Sequence, residues 1–269
     1  MSQALPLIMG ILNLTPDSFS DGGHHALGEG AVARGLEMAA AGADILDLGG
    51  ESTRPGSDPV SEGDEIARVV PVIKALRQRW QGVISIDTMK PAVARAAIEA
   101  GASMWNDVTG LTYAPDSLAT AAELGCQVVL MHMKGEPKTM QDAPHYEDVV
   151  AEVVAHLKAR AEAAMMAGVA RDKIWLDPGI GFAKTAAHNL SLTRHLDQLV
   201  GLGFPVLYAA SRKRVVQAVD ATATDPLDRL GGSLALALEG VERGARMVRV
   251  HDVRQTVQAL KVQAALRTA

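Results

Sequence analysis

Eight short apolar runs, separated by longer segments of helical periodicity, set the tightest limit on what this chain can fold into. They are "LIMGIL", "ADILDLG", "GVISID", "SMWND", "QVVLMH", "KIWLD", "PVLYAA" and "RMVRV". Each has the length of a strand buried on both faces. The intervening segments, such as "GAVARGLEMAAAGA", "DEIARVVPVIKALRQRW" and "YEDVVAEVVAHLKARAEAAMMAGV", space their apolar residues as helices do. Several finish in "AGA" or "AGV", where glycine stops a helix ahead of the next strand. Eight strands alternating with helices predict a (β/α)8 barrel, with an open doubly wound sheet as the leading alternative. No Pro-rich linker or shift in composition divides the chain, so residues 1–269 read as a single domain.

A barrel gathers the C-terminal ends of its strands on one face, and active sites are built there. These ends carry Asn13, Asp47 with Glu51, Asp87, Asn106 with Asp107, His132, Asp177, Ser211 with Lys213, and Arg249 with His251. One polar residue where a strand meets water is ordinary. Polar residues at strand end after strand end predict a ring around one cavity. Asp87, Asn106 and Asp177 suit a flat ligand with several N–H and C=O groups along its edge. Lys213 would donate to a ring carbonyl or nitrogen, and Arg249 would lie flat over a π-system. Asp177 is also a candidate cap for the turn in "LDPGIGF", and Ser211 for the helix after the seventh strand.

Two other stretches suit an anion. "GGESTRPGS", residues 49 to 57, combines glycines, hydroxyls and Arg54 after the second strand. "SRKR", residues 211 to 214, opens the helix after the seventh strand, and His251 follows the eighth. The loops after strands seven and eight are the common phosphate site of barrels. A cationic mouth on a chain of formal net charge -5 suggests a phosphate or diphosphate substrate. The polar stretch "TPDSFSDGG" after the first strand reads as a mobile lid, with Asn13 at its start, Phe19 as cover and Gly22 and Gly23 as hinges.

Other classes are disfavoured. The acidic balance and the lack of a basic stripe with interleaved aromatics argue against a nucleic-acid binder. No signal-like start and no run of about 18 apolar residues is present, so a cytoplasmic protein without a membrane span is expected. The lone Cys126 in "GCQVVLM" reads as an inert buried thiol. "GIGFAK" has Lys184 where a dinucleotide fingerprint needs its third glycine. Protein-ligated zinc at His132 and His251 lacks the paired histidines of a barrel hydrolase, and no Gly-x-Ser-x-Gly elbow occurs. His24, His25, His156 and His195 are expected on solvated surfaces.

With "GILNLTPDSFSDGG", "DLGGESTRPGS", "SIDT", "ND", "LMHMKGEPKTMQ", "LDPGIGFAKTAAHN", "SRKR" and "RVHDV" in this order, residues 8 to 262 resemble the dihydropteroate synthase family. The resemblance implies a pterin-binding TIM barrel with long mobile loops after strands 1 and 2. Its members join p-aminobenzoate to 6-hydroxymethyl-7,8-dihydropterin diphosphate, giving 7,8-dihydropteroate and diphosphate for folate synthesis. It implies that Asp87, Asn106, Asp177 and Lys213 bind the dihydropterin, with Arg249 stacked on its ring. Asn13, Thr53, Arg54, Arg249 and His251 would hold the diphosphate, bridged by Mg2+ with Asn13 as its protein ligand. Phe19, Thr53, Pro55, Phe182, Ser211 and Arg212 would frame the p-aminobenzoate pocket, where sulfonamides should compete. A dissociative, SN1-like displacement follows, with Asp87, Lys213, Arg249 and His251 as the catalytic groups, and a homodimer is implied.

Three places depart from the family pattern: Ala209 ahead of "SRK", Val215-Val216-Gln217 behind it, and Ala183 where glycine is frequent. The rival readings are a pterin binder without catalysis and a folate methyl-carrier methyltransferase. A mere pterin binder has no need of Arg54, Lys213, Arg249 and His251, and the methyltransferase reading lacks a recognisable corrinoid-partner module. "RLGGSLALALEGVERGA" has an apolar face wide enough for a subunit interface.

Overall fold

The computed structural model describes residues 5–14, 24–52, 58–135 and 140–267. Its eight strands coincide with the eight apolar runs: β1 Leu7–Asn13, β2 Ile45–Gly49, β3 Val83–Asp87, β4 Met104–Asp107, β5 Gln127–Met131, β6 Ile174–Asp177, β7 Leu207–Tyr208 and β8 Met247–Val250. All neighbouring strands pair in parallel, in the order β6-β5-β4-β3-β2-β1-β8-β7. A bridge between Leu176 and Val206 joins the two ends of that order. The sheet is thus a nearly closed (β/α)8 barrel, and the open doubly wound alternative is set aside.

The helices are α1 His24–Ala40, α2 Glu62–Arg77, α3 Pro91–Glu99, α4 Ser117–Leu124, α5 Val149–Ala167, α6 Ala186–Arg194, α7 Leu196–Val200, α8 Arg214–Val219, α9 Leu230–Glu242 and α10 Val253–Leu266. Their ends follow local chemistry. Ser61 caps α2 by accepting from the Asp64 amide at 3.1 Å, and Glu62, Asp64 and Glu65 complement the helix dipole. Gly42 and Gly168, from the "AGA" and "AGV" stops, have φ of 105° and 111°, a region that side chains with a Cβ rarely adopt. Among the described residues no helix is long and apolar enough to cross a membrane.

Strand periodicity places the site. Met9, Ile45, Met104, Val129, Trp175, Leu207, Ala209 and Met247 form a cluster of their own, separate from the larger core between sheet and helices. They fill the barrel interior. Side chains two residues further along a strand share the same face. That step leads from Ile45 to Asp47, from Met104 to Asn106, from Trp175 to Asp177 and from Met247 to Arg249. The polar layer therefore rests on an apolar plug, one step nearer the C-terminal ends. Trp105, Leu130 and Leu176 have the opposite parity and pack outward, in the core under the helices.

Candidate active site

Arg249 is the centre of the polar layer. Its Nε donates to Asp47 Oδ2 at 2.6 Å and its Nη2 to Asp87 Oδ2 at 2.6 Å. Asn106 Nδ2 donates to the same Asp47 oxygen at 3.1 Å. The guanidinium thus joins β8 to β2 and β3, and the Asp47 carboxylate joins β4 to them. Burial would lower the Arg249 pKa, but the charges of Asp47 and Asp87 outweigh it and hold Arg249 above its ordinary value. Burial pushes Asp87 up to about 7, against the pull of Arg249. Asp47 Oδ1 and Asp87 Oδ1 are buried with no hydrogen-bond partner among the described residues. Unmet acceptors on buried carboxylates are what a ligand edge rich in N–H groups would satisfy.

The other side of the cavity is the turn after β6. Asp177 Oδ1 accepts from the Gly179 amide at 2.7 Å, so the residue both caps this turn and stands in the ring. Burial raises its pKa, opposed chiefly by Lys213. Lys213 immediately precedes α8; its ammonium donates to the Ile180 carbonyl and lies 4.9 Å from the centre of the Phe182 ring. Burial lowers Lys213 to about 8, with Asp177 acting in the opposite sense. Ser211, at the end of the β7 segment, joins it to β8: its Oγ accepts from the His251 amide at 3.2 Å and lies 3.0 Å from His251 Nδ1. Ser211 therefore does not take up the alternative role of helix cap, since the residue at the start of α8 is Lys213. Arg212 adopts a φ of 58° and turns its guanidinium onto Asp252, at 3.0 Å and 2.5 Å.

The ring is narrower than the strand ends suggested. Asp107 has the outward parity of Trp105; its carboxylate accepts from Thr109 N, Thr109 Oγ1 and Leu111 N within its own loop. His132 is also turned outward, packed edge-on against His156 of α5 at 4.8 Å, while Met131 takes the inward place. Glu51 leaves the ring for a buried cluster, accepting from Lys90 Nζ at 2.5 Å and from the Val60 amide at 3.2 Å. His156 and His195 are half-buried rather than solvated, His195 through Nδ1 on the Ser191 carbonyl at 2.9 Å. The side chains of His24 and His25 lie outside the described residues. So do Phe19, Gly22, Gly23, Thr53, Arg54 and Pro55, and with them the lid and much of the expected anion loop. Cys126 is buried, and burial pushes its thiol up to about 11, as an inert cysteine requires.

Asp47, expected in the ring without a ligand role of its own, anchors both Arg249 and Asn106. Its signal was available: Asp47 lies two residues past Ile45 on an otherwise apolar strand.

Asn13 ends β1, half-buried beside Gly49. Among the described residues no group of three or more His, Cys, Asp or Glu could hold a metal ion. Mg2+ takes hard oxygen donors and, beside substrate phosphates, needs only one or two from the protein. The Asn13 carboxamide oxygen is of the right hard kind.

The family model for "Pterin binding enzyme" matches residues 9–251. Dihydropteroate synthase of Escherichia coli K12 is 46% identical over 264 residues, covering 98% of this chain and 93% of that protein. The structure of Xanthomonas albilineans dihydropteroate synthase with 4-aminobenzoic acid superposes with a TM-score of 0.93 at 49% identity, covering 98% of this chain and 94% of that one. The Yersinia pestis dihydropteroate synthase in a sulfonamide drug complex gives a TM-score of 0.92 at 44% identity, covering 98% and 95%.

Proposed function

The chain belongs to the pterin-binding enzymes and, among them, to the dihydropteroate synthases, a family of transferases in folate synthesis, and from that premise we propose how its cavity works. It joins p-aminobenzoate to 6-hydroxymethyl-7,8-dihydropterin diphosphate, releasing diphosphate. One observation carries this reading: Asp87, Asn106, Asp177 and Lys213 converge with Arg249 over the barrel plug, with acceptor oxygens of Asp47 and Asp87 unmet.

The dihydropterin edge takes Asp87, Asn106 and Asp177 as partners, and Lys213 donates to its carbonyl or ring nitrogen. Arg249, fixed from below by Asp47, presents its guanidinium plane to the ring. Asn13, Thr53, Arg54, Arg249 and His251 hold the diphosphate, with Mg2+ on Asn13. Mg2+, when bound, supplies charge neutralisation to the diphosphate oxygens. Phe19, Thr53, Pro55, Phe182, Ser211 and Arg212 frame the p-aminobenzoate. Sulfonamides compete in that pocket, a reading supported by the sulfonamide complex of the Yersinia relative.

The arylamine is a weak nucleophile, so the exocyclic C–O bond breaks ahead of C–N bond formation. The electron pair leaves with the diphosphate, and the electron-rich dihydropterin carries the positive charge. Asp87 and Asp177 stabilise that cation; Arg54, Arg249 and His251 stabilise the departing anion. The amine then attacks the exocyclic carbon, and its surplus proton passes to water or diphosphate. No covalent enzyme intermediate and no strong base is needed.

Residues 1–269 act as one domain, and two copies associate. Support for the pairing comes from α9, which buries its small residues Ser233, Ala237 and Gly240 and leaves Leu234, Leu236 and Leu238 only half-buried. Val262 and Leu266 on α10 are exposed by 56% and 74%. Sedimentation at micromolar concentration tests this, and a single species of 28.3 kDa would refute it.

The activity is tested with Mg2+, the dihydropterin diphosphate and radiolabelled p-aminobenzoate. Labelled dihydropteroate should form, require Mg2+, and vanish in Asp87→Ala and Lys213→Ala. Pterin binding without product would instead favour a pterin binder without catalysis.

A further inference from the structure

Behind the turn that follows β6 lies a buried lysine that the proposed reaction does not use. Lys184 is 3% exposed. Its ammonium lies 2.9 Å from His132 Nδ1 and donates to the Phe182 carbonyl at 2.9 Å and the His132 carbonyl at 3.3 Å. An ammonium has three protons, and three acceptors are present. Burial and the neighbouring Lys184 charge lower His132 to about 3, so the ring is neutral and its Nδ1 is free to accept.

His132 follows β5 and Phe182 lies in the turn after β6, so Lys184 ties two adjacent strand ends together. The approach there is close. The His132 amide continues the β5–β6 pairing onto the Asp177 carbonyl at 3.1 Å. A Cβ on Gly179 would lie 1.9 Å from the His132 carbonyl oxygen, so only glycine fits. On its cavity side the same turn presents the Asp177 carboxylate, the Ile180 carbonyl that receives Lys213, and the Phe182 ring. Lys213 grips the turn from the cavity and Lys184 grips it from behind.

We propose that Lys184 is a positioning residue for the pterin site, fixing the Asp177 carboxylate by locking the turn of residues 177–184 against the end of β5. The inference rests on the pterin reading of the cavity. A buried ammonium is costly to desolvate, and methionine would fill the same space without that cost. Methionine could not bind two carbonyls and a ring nitrogen at once. Burial lowers Lys184 to about 7, while the Asp177 charge favours its cationic form.

The test is calorimetric titration of wild type, Lys184→Met and Asp177→Ala with 6-hydroxymethylpterin and, separately, with inorganic diphosphate and Mg2+. Lys184→Met should raise the pterin Kd about tenfold and leave the diphosphate Kd within twofold, because the diphosphate groups stand on other strands. The Gly179 and Gly181 amides should exchange hydrogen at least tenfold faster. A pterin Kd within twofold of wild type, or both Kd values rising together, overturns the positioning role. Wild type that fails to bind pterin overturns the pterin reading and this inference with it. Binding by wild type that is lost in Asp177→Ala but kept in Lys184→Met overturns this inference alone. Should Lys184→Met not fold, Lys184→Arg takes its place. Its planar fork cannot converge on all three acceptors, and the pterin Kd should rise at least threefold; no change overturns the proposal.

Discussion

The Arg249 guanidinium holds Asp87 at 2.6 Å, yet Asp87 remains pushed up to about 7 because its burial outweighs that single contact. A pterin edge that donates N–H groups needs the carboxylate form. Binding therefore expels the proton that Asp87 carries below about pH 7. Pterin affinity should fall by up to about tenfold per pH unit below 7. Titrations at pH 6, in two buffers of different ionisation enthalpy, should report release of about one proton. Asp87→Asn should abolish most of this dependence along with much of the affinity. A flat profile between pH 6 and 8 in the wild type would contradict the assignment.

Ala183 adopts a φ of 51° while 2% exposed, so its Cβ sits in the left-handed region where the family often places glycine. That conformation costs about 1–2 kcal/mol for a residue with a Cβ. Glycine returns about 0.5–1 kcal/mol of this through its freer unfolded state. Ala183→Gly should therefore stabilise the protein by about 0.5–1 kcal/mol, read as a higher midpoint in urea. An unchanged or lower midpoint would show that the turn carries no strain there.

Much of this was legible in the chain because buried parallel strands are unbroken apolar runs, and all eight could be counted. The ring was legible less well. In "SMWND" the adjacent Asn106 and Asp107 look equivalent, but a shift of one residue along a strand changes the face. Only the anchoring of Met104 in the barrel plug sends Asn106 inward and Asp107 out. His132 fails in the same way, one residue past the inward Met131. Lys90 and Lys184 were harder still. Lys90 finds its carboxylates 39 and 25 positions away, and Lys184 finds His132 52 positions away. Such pairings depend on which loops the closed barrel sets side by side.

Lys90 gives the largest expected loss of stability. Its ammonium lies 2.5 Å from Glu51 and 2.7 Å from Glu65 and also donates to the Val60 carbonyl at 2.6 Å. Glu65 is fully buried, and burial raises its pKa despite that partner. Lys90→Met would strand two carboxylates and should cost about 3–5 kcal/mol, measured by urea unfolding. Adding Glu65→Gln should recover part of the loss by removing one buried charge. A double variant no better than the single would locate the damage in the Val60 contact instead.

Ser211 offers a way to separate the anion site from the pterin site. Its single hydroxyl accepts the His251 amide, and its own proton can then go to His251 Nδ1. In that tautomer Nε2 carries the hydrogen and can donate to a diphosphate oxygen. Ser211→Ala removes this hydrogen bond to the ring and leaves the His251 amide without its acceptor. The KM for the dihydropterin diphosphate should rise about three- to tenfold, the range expected for one hydrogen bond of about 1 kcal/mol. The Kd for unphosphorylated 6-hydroxymethylpterin should not change, because Asp87, Asn106 and Asp177 stand on other strands. Equal weakening of both ligands would place Ser211 in the frame of the whole cavity, not in control of His251.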